Sequence, residues 1–507
     1  MTKSKYAGML GASALALSLA AGAAMAGPQD NSLNIAWERE VPNISMFHNT
    51  DREGIIIAHH VWDSLIYRDP DTGEFEPLLA ESWDLVDDVT IDVVIREGVL
   101  FHNGDPMTVE DVAFTFNYVA NPESDMLSQQ TVNWVDRAEI IDDRTVRIIA
   151  KEPTPLALLY MAGDIGIYPK DYYTEVGADG MGRAPVGTGP FKVTEVIPGT
   201  RIVFERFEDY YEGSPKGMPS IDRIVQRTIP DLNTQVVELA SGRLDWMWRL
   251  PADQVDRLGA MPTIDVVNAS TMRIGYLHLD AMGKSGDTPF TNRLVRQAVN
   301  HAIDRQSLVD NLVRGDSVVI HAACHPAQFG CIDDVTEYAY DPDRARELLA
   351  EAGYPDGFAT RFYGYRERPY AEAMIGFLNE VGITTDLRWG QYAATRDAIR
   401  GGDVPLAFMT WGSNSVPDID NNTPVFFGGL ADDLAMDEEV IAWLEAGGST
   451  LDPDMRLENY TKALQKIADE AYWVPLFTYN TNYAMSAQLS WDPHPDEIPR
   501  FWLASWD

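Results

Sequence analysis

The sequence predicts a mixed α/β protein of two or three domains, and three observations carry that expectation. Strand-like alternation and helix-like spacing occur side by side along the chain. Hydrophobic residues make up 45% and aromatics 10%, an ordinary globular content that argues against disorder. Finally, 507 residues are too many for one hydrophobic core.

The first element is a leader. Lys3 and Lys5 give a positive start, residues 9–23 (MLGASALALSLAAGA) are apolar, and Ala24-Met25-Ala26 places small residues before Gly27. This is the pattern of a secretory signal peptide over residues 1–26. The run is shorter than the roughly 20 residues that span a bilayer, and no later segment is long enough. A retained anchor is the alternative, but no basic stop-transfer flank follows. No cysteine lies near the cleavage point to carry a lipid. The mature chain is expected to begin near Gly27 as a soluble extracytoplasmic protein of 481 residues.

Thr90–Ile95 alternates, with Ile91, Val93 and Ile95 on one face, as a half-buried strand does. Thr108 then caps a helix whose stripe is Val112, Phe116 and Val119. Asp341-Pro342 opens another, with Ala345, Leu348, Leu349 and Ala352 in line before Gly353 and Pro355 stop it. Asp452-Pro453 repeats that opening ahead of Leu457, Tyr460, Leu464, Ile467 and Ala471. Residues 473–479 (WVPLFTY) read as a buried extended segment that Pro475 confines to an edge or a bend. Glycine- and proline-rich stretches at 177–190, 281–289, 401–402 and 413–424 read as loops or crossings.

Without the leader, 37 basic residues face 78 acidic ones, a net charge of −41 with histidine neutral. Such a surface repels phosphate backbones and anionic lipid, which argues against nucleic acid and membrane-surface partners. Cys324 and Cys331 are the only cysteines, both in HAACHPAQFGC. One disulfide is the simplest reading in an oxidising compartment. The alternative, a metal site from His321, Cys324, His325 and Cys331, fits no standard zinc spacing.

Catalytic motifs are missing. There is no Gly-x-Ser-x-Gly, His-Glu-x-x-His, phosphate-binding loop or Gly-x-Gly-x-x-Gly. The nine histidines are scattered, and the adjacent His59-His60 points to different sides of any regular element. A carboxylate pair of the glycosidase kind is neither indicated nor excluded by so acidic a sequence.

Three stretches together carry a resemblance. Residues 79–119 (LAESWDLVDDVTIDVVIREGVLFHNGDPMTVEDVAFTFNYV) join a strand ending R-x-G-V-x-F-H-x-G to a helix opening T-x-E-D-V. Residues 186–245 run from VGTGPFKV through VFERFEDYYEG and IDRIVQRTIPD to VVELASGRLD. NRLVRQAVNHAIDRQSLVDNLV is followed by YDPDRARELLAEAGYPDGF and, near the end, EAYWVPLF. In this order they resemble the extracytoplasmic solute-binding proteins of ABC importers, family 5, whose members bind dipeptides, oligopeptides and nickel.

The resemblance implies a two-lobed α/β periplasmic-binding-protein fold with an extra inserted domain. Lobe I would comprise residues 27–62, 187–270 and 479–507, the inserted domain 63–186, and lobe II 271–478. Hinges would fall near 270–271 and 478–479, and closure around a solute would present the protein to its permease. A soluble, periplasmic, monomeric carrier is implied, with no cofactor and no resident metal. Its cargo would be a peptide or peptide-like solute. The alternatives are a cationic or zwitterionic osmolyte, an oligosaccharide or a chelated metal, and, outside transport, a secreted hydrolase.

In peptide-binding relatives a second-lobe strand ends in tryptophan, and a carboxylate three residues later pairs with the peptide's ammonium. Trp411 matches the tryptophan, but Asn414 stands at the carboxylate position. Asparagine supplies no counter-charge, which puts free-amino peptides in doubt unless Asp418 or Asp420 substitutes. Trp246 and Trp248 share one side of a strand, either as a stacking wall or as packing between lobes. Tyr363, Tyr365 and Arg366 sit in a Gly/Pro-flanked loop, where Arg366 is a carboxylate partner or a surface arginine. Trp389 and Tyr392 follow an alternating strand, and Phe47, His48 and Asn49 follow the first strand of the mature chain.

Overall fold

The computed structural model describes residues 27–49, 51–124, 126, 131–412 and 416–507. The leader and Asn414 lie outside the described residues.

A ten-stranded sheet organises the molecule. Its spatial order is Ile383–Trp389, Phe358–Gly364, Leu406–Trp411, Ile264–Leu279, Trp473–Ser486, Trp246–Trp248, Ser32–Trp37, Arg223–Thr228, Arg201–Arg206 and Phe191–Ile197. The two central strands are long, at 16 and 14 residues, and pair antiparallel from Ile264 opposite Ser486 to His278 opposite Trp473. Their register slips between Ser270 and Ile274, where the Thr271 hydroxyl donates to the Tyr479 carbonyl at 2.9 Å. It slips again beside Tyr276, opposite Pro475. The segment around Pro475 is therefore a bend within the sheet and not an edge. The slip spares the ladder the N–H that proline lacks.

A separate four-stranded sheet orders Ala80–Asp87, Thr90–Ile95, Thr145–Ala150 and Val135–Ile140. Helix Val109–Ala120 packs on it, opened by a capping box in which Thr108 and Asp111 satisfy each other's main chain. The two Asp-Pro openings are real N-caps: Asp341 accepts from the Arg344 N–H and Asp452 from those of Asp454 and Met455. The stretch at 177–190 is less loop-like than its composition predicts. Helix Lys170–Arg183 runs into it, broken at Gly177, whose φ of 63° glycine adopts without strain.

One apolar core joins Leu33, Val93, Phe116, Trp246 and Phe501, so the start, the 63–186 segment and the C-terminal residues pack together. Two others lie under the far half of the large sheet, around Leu277, Leu348 and Phe362, and around Tyr276, Phe426 and Trp473. Cys324 and Cys331 form a disulfide. Within that loop the Gln328 amide donates to the Val416 and Asp418 carbonyls, both at 3.1 Å.

Candidate binding cavity

A cavity of about 1000 Å³ opens where the long central strands cross between these cores. It lies in the size range of small-molecule sites. Residues 480–482 and Arg273 come from the crossing strands themselves. Phe47, Asn49 and Arg52 approach from one side, and Tyr365, Arg366, Tyr392 and Trp411 from the other. Asp164 comes from the 63–186 segment. Nearby, Tyr160 Oη donates to Asn421 Oδ1 at 3.3 Å and ties that segment to the far half.

Six of the residues singled out in the sequence line this space, and most already have partners. Phe47 is buried, its ring 4.7 Å from that of Tyr168. Asn49 shapes its own loop, accepting from the Asp51 N–H at 2.8 Å and donating to the Asn43 carbonyl at 2.7 Å. The Tyr365 and Tyr392 rings lie 5.1 Å apart, and the Tyr365 hydroxyl bonds Thr410 Oγ1 at 2.7 Å. Arg366 Nε donates to the Glu367 carboxylate, at 2.7 and 2.6 Å to its two oxygens. Trp411 is half-buried, with the Arg396 guanidinium 5.3 Å from its ring centre.

The others lie elsewhere. Trp246 is fully buried against Tyr483, Trp491 and Phe501, because its three-residue strand sits mid-sheet. Trp248 is also buried, but its ring carries the Arg249 guanidinium at 3.9 Å, and Arg249 does line the cavity. Tyr363 packs on the core beneath the far half of the sheet. Trp389 is 37% exposed on the outermost strand, outside the cavity. Asp418 is held bidentately by Arg456, both bonds at 2.9 Å, and Asp420 accepts from the Tyr460 hydroxyl at 3.1 Å. Neither lines the cavity.

Sequence reasoning missed the arginines. Arg52, Arg249, Arg273, Arg396 and Arg400 all reach the wall beside Arg366. Glu497, just behind it, faces Arg273 at 3.2 Å and Arg52 at 3.8 Å. Burial alone raises the Glu497 carboxyl, but Arg273, Arg52 and Arg249 outweigh it and hold the group below its usual value. Asp432 behaves alike: burial raises it, and hydrogen bonds from Arg396 and Arg400 bring it below normal. Asp164 has less help. Burial pushes it to about 7, with only Arg52 opposing.

The family model described as "Bacterial extracellular solute-binding proteins, family 5 Middle" matches residues 74–432. Glutathione-binding protein GsiB of Salmonella paratyphi A is 26% identical over 500 residues, covering 95% of each chain. Heme-binding protein A of Haemophilus influenzae is 25% identical over 467 residues, 83% of this chain and 82% of its own. Among solved structures, the periplasmic binding protein DppA of Helicobacter pylori, in complex with peptide STSA, superposes with a TM-score of 0.82 at 24% identity. That match covers 94% of this chain and 98% of the other.

Proposed function

The chain belongs to the family 5 bacterial extracellular solute-binding proteins, and from that premise we propose that it captures a peptide or peptide-like solute and delivers it to an ABC permease. The protein is extracytoplasmic by family, and no helix among the described residues is long and apolar enough to cross a membrane. On this reading residues 1–26 are an export leader and the mature protein is a soluble, unlipidated periplasmic monomer. It hands its cargo over unaltered. The observation that carries the reading is the cavity itself, roofed and floored by different cores and lined between them by the strands that cross.

We divide the chain into lobe I (27–62, 187–270, 479–507), inserted domain (63–186) and lobe II (271–478); the two far cores fall almost wholly within lobe II, while lobe I and the inserted domain share the first core. The register slip at Ser270–Ile274 and the Thr271–Tyr479 bond fall at the proposed hinges. A non-peptide cargo is the second reading. It is favoured because Asp418 and Asp420, the first carboxylates after Trp411 in sequence, are occupied away from the cavity.

Tryptophan fluorescence and thermal melting of the purified protein test the role. A panel of dipeptides, glutathione and heme, the ligand types of its relatives, should yield at least one saturable response. A solute at 100 times its Kd should stabilise the native state by about 2.7 kcal/mol. Chemical conversion of the bound solute by the protein would replace the carrier with an enzyme.

A further inference from the structure

The wall of the cavity reverses the charge of the chain around it. Overall, 78 acidic residues face 39 basic ones, whereas the lining contains seven arginines and five carboxylates. We infer, on the carrier reading above, that the cargo is an anion whose carboxylate or equivalent oxyanion is received by the guanidiniums around Trp411, without help from an ammonium group.

Three guanidiniums from three different elements converge there. Arg52 opens helix Arg52–Val61, Arg273 lies in strand Ile264–Leu279, and Arg396 is in helix Tyr392–Gly401. A side chain at Gly412 would start only 3.0 Å from Arg273 Nη2 and 3.5 Å from Arg52 Nη2. Arg396 covers the Trp411 ring next door. The main chain directly after Trp411 thus runs between positive groups.

Arg52 and Arg273 are paired with Glu497, but Arg396, Arg400 and Arg249 have more to give. Arg396 and Arg400 share a single carboxylate, Asp432, each approaching to 2.8 Å, which leaves one positive charge over. Arg249 is ion-paired but keeps its donors. It makes no hydrogen bond to the described residues, and its nearest carboxylates, Glu38 and Glu53, stand at 3.8 and 3.9 Å. Stacking on Trp248 holds the guanidinium in place while 27% of the side chain remains exposed. A fixed planar fork with donors to give matches a carboxylate in two-point geometry. Glu497 offsets part of the repulsion among these groups, and in a partly desolvated space a further anion meeting the open donors is favoured.

Two of the five lining carboxylates are already engaged, and the first carboxylate after Trp411 in sequence lies outside the cavity. Glu367 is bonded by Arg366 and by the Tyr479 hydroxyl. Glu53 is 2% exposed and lies beside Arg249. Asp418 is buried on Arg456.

The test uses the full mature protein and three solute classes. The anionic probes are glutathione, N-acetyl-glutathione and citrate, the neutral one glutathione diethyl ester N-acetylated at the amine, and the cationic ones a Lys-Lys dipeptide and glycine betaine ethyl ester. Calorimetry should find the tightest binder among the anions. Acetylating the glutathione amine should change Kd less than threefold, and esterifying the carboxylates of N-acetyl-glutathione should weaken it at least tenfold. Arg249→Gln and Arg396→Gln should each weaken the same anion at least tenfold. Arg249→Lys, which keeps the charge but loses the fork, should fall between. Circular dichroism and melting of each variant in the absence of solute separate lost affinity from lost folding. A tighter neutral or cationic binder, or anion affinity untouched in both folded Gln variants, overturns the inference and leaves the carrier standing. Saturable binding of no class at all overturns both.

Discussion

Asp164 carries a pH dependence that isolates one residue. Its carboxyl titrates near 7 in the folded protein because burial disfavours the charged form, whereas an unfolded chain releases the same proton near 3.9. Between those values the native state holds more protons than the unfolded state, so this group's contribution to stability falls as pH rises. Asp164→Asn removes the dependence. Melting of variant and wild type should coincide near pH 4, then diverge in the variant's favour up to about pH 7 and run parallel above it. A difference that stays constant from pH 4 to 8 would show that Asp164 is not titrating there. The site was only partly legible at this scale. Trp411, Tyr392, Tyr365, Arg366, Phe47 and Asn49 reach the cavity, since aromatic and amide residues after strands stood out in the sequence. Arg249 follows strand Trp246–Trp248, and Arg273 and Arg396 belong to a distant strand and helix, so no local spacing reveals that they meet. Trp246 misled because two-residue alternation says which side of a strand a ring takes, while mid-sheet burial decides whether that side faces a ligand or a core.

At the scale of elements, the VGTGPFKV stretch owes its glycines to a close approach. A Cβ on Gly187 would stand 2.0 Å from the Val61 carbonyl oxygen, and one on Gly189 2.5 Å from that of His60. The C-terminal end of helix Arg52–Val61 lies directly on this segment, and the Gly189 N–H donates to the Val61 carbonyl at 2.9 Å. Main chain cannot yield as a side-chain tip can. Gly187→Ala should therefore cost about 1–3 kcal/mol in urea unfolding, the usual range for overpacking. A loss below 0.5 kcal/mol would mean that the helix end shifts freely. Elements of this kind were legible where their determinants are local. The Asp-Pro caps, the Thr108 box and the alternation of Thr90–Ile95 depend on neighbours in sequence. The helix through Gly177 and the central placement of Pro475 depend on distant partners, so composition pointed to a loop and to an edge or bend.

For the whole molecule, the consequence to test is closure. The chain would pass between its two lobes at 270–271 and 478–479, where two paired strands lose register and a side chain–main chain bond replaces part of the ladder. Such a junction can change its twist without unfolding either core, whereas cores packed to crystal-like density move as units. The contact of Tyr160 with Asn421 and the packing of Val416 against the first core mark the surfaces that would part on opening. A solute favours the closed arrangement only by touching both walls at once, and Arg249 and Arg396 are placed to supply one contact from each. Small-angle scattering should therefore give a smaller radius of gyration with saturating solute than without it. In Arg396→Gln the same concentration of solute should recover only part of that contraction. Identical scattering curves with and without a solute that calorimetry shows to be bound would mean the cavity fills without moving, and the two crossings would then be plain connections within one rigid body.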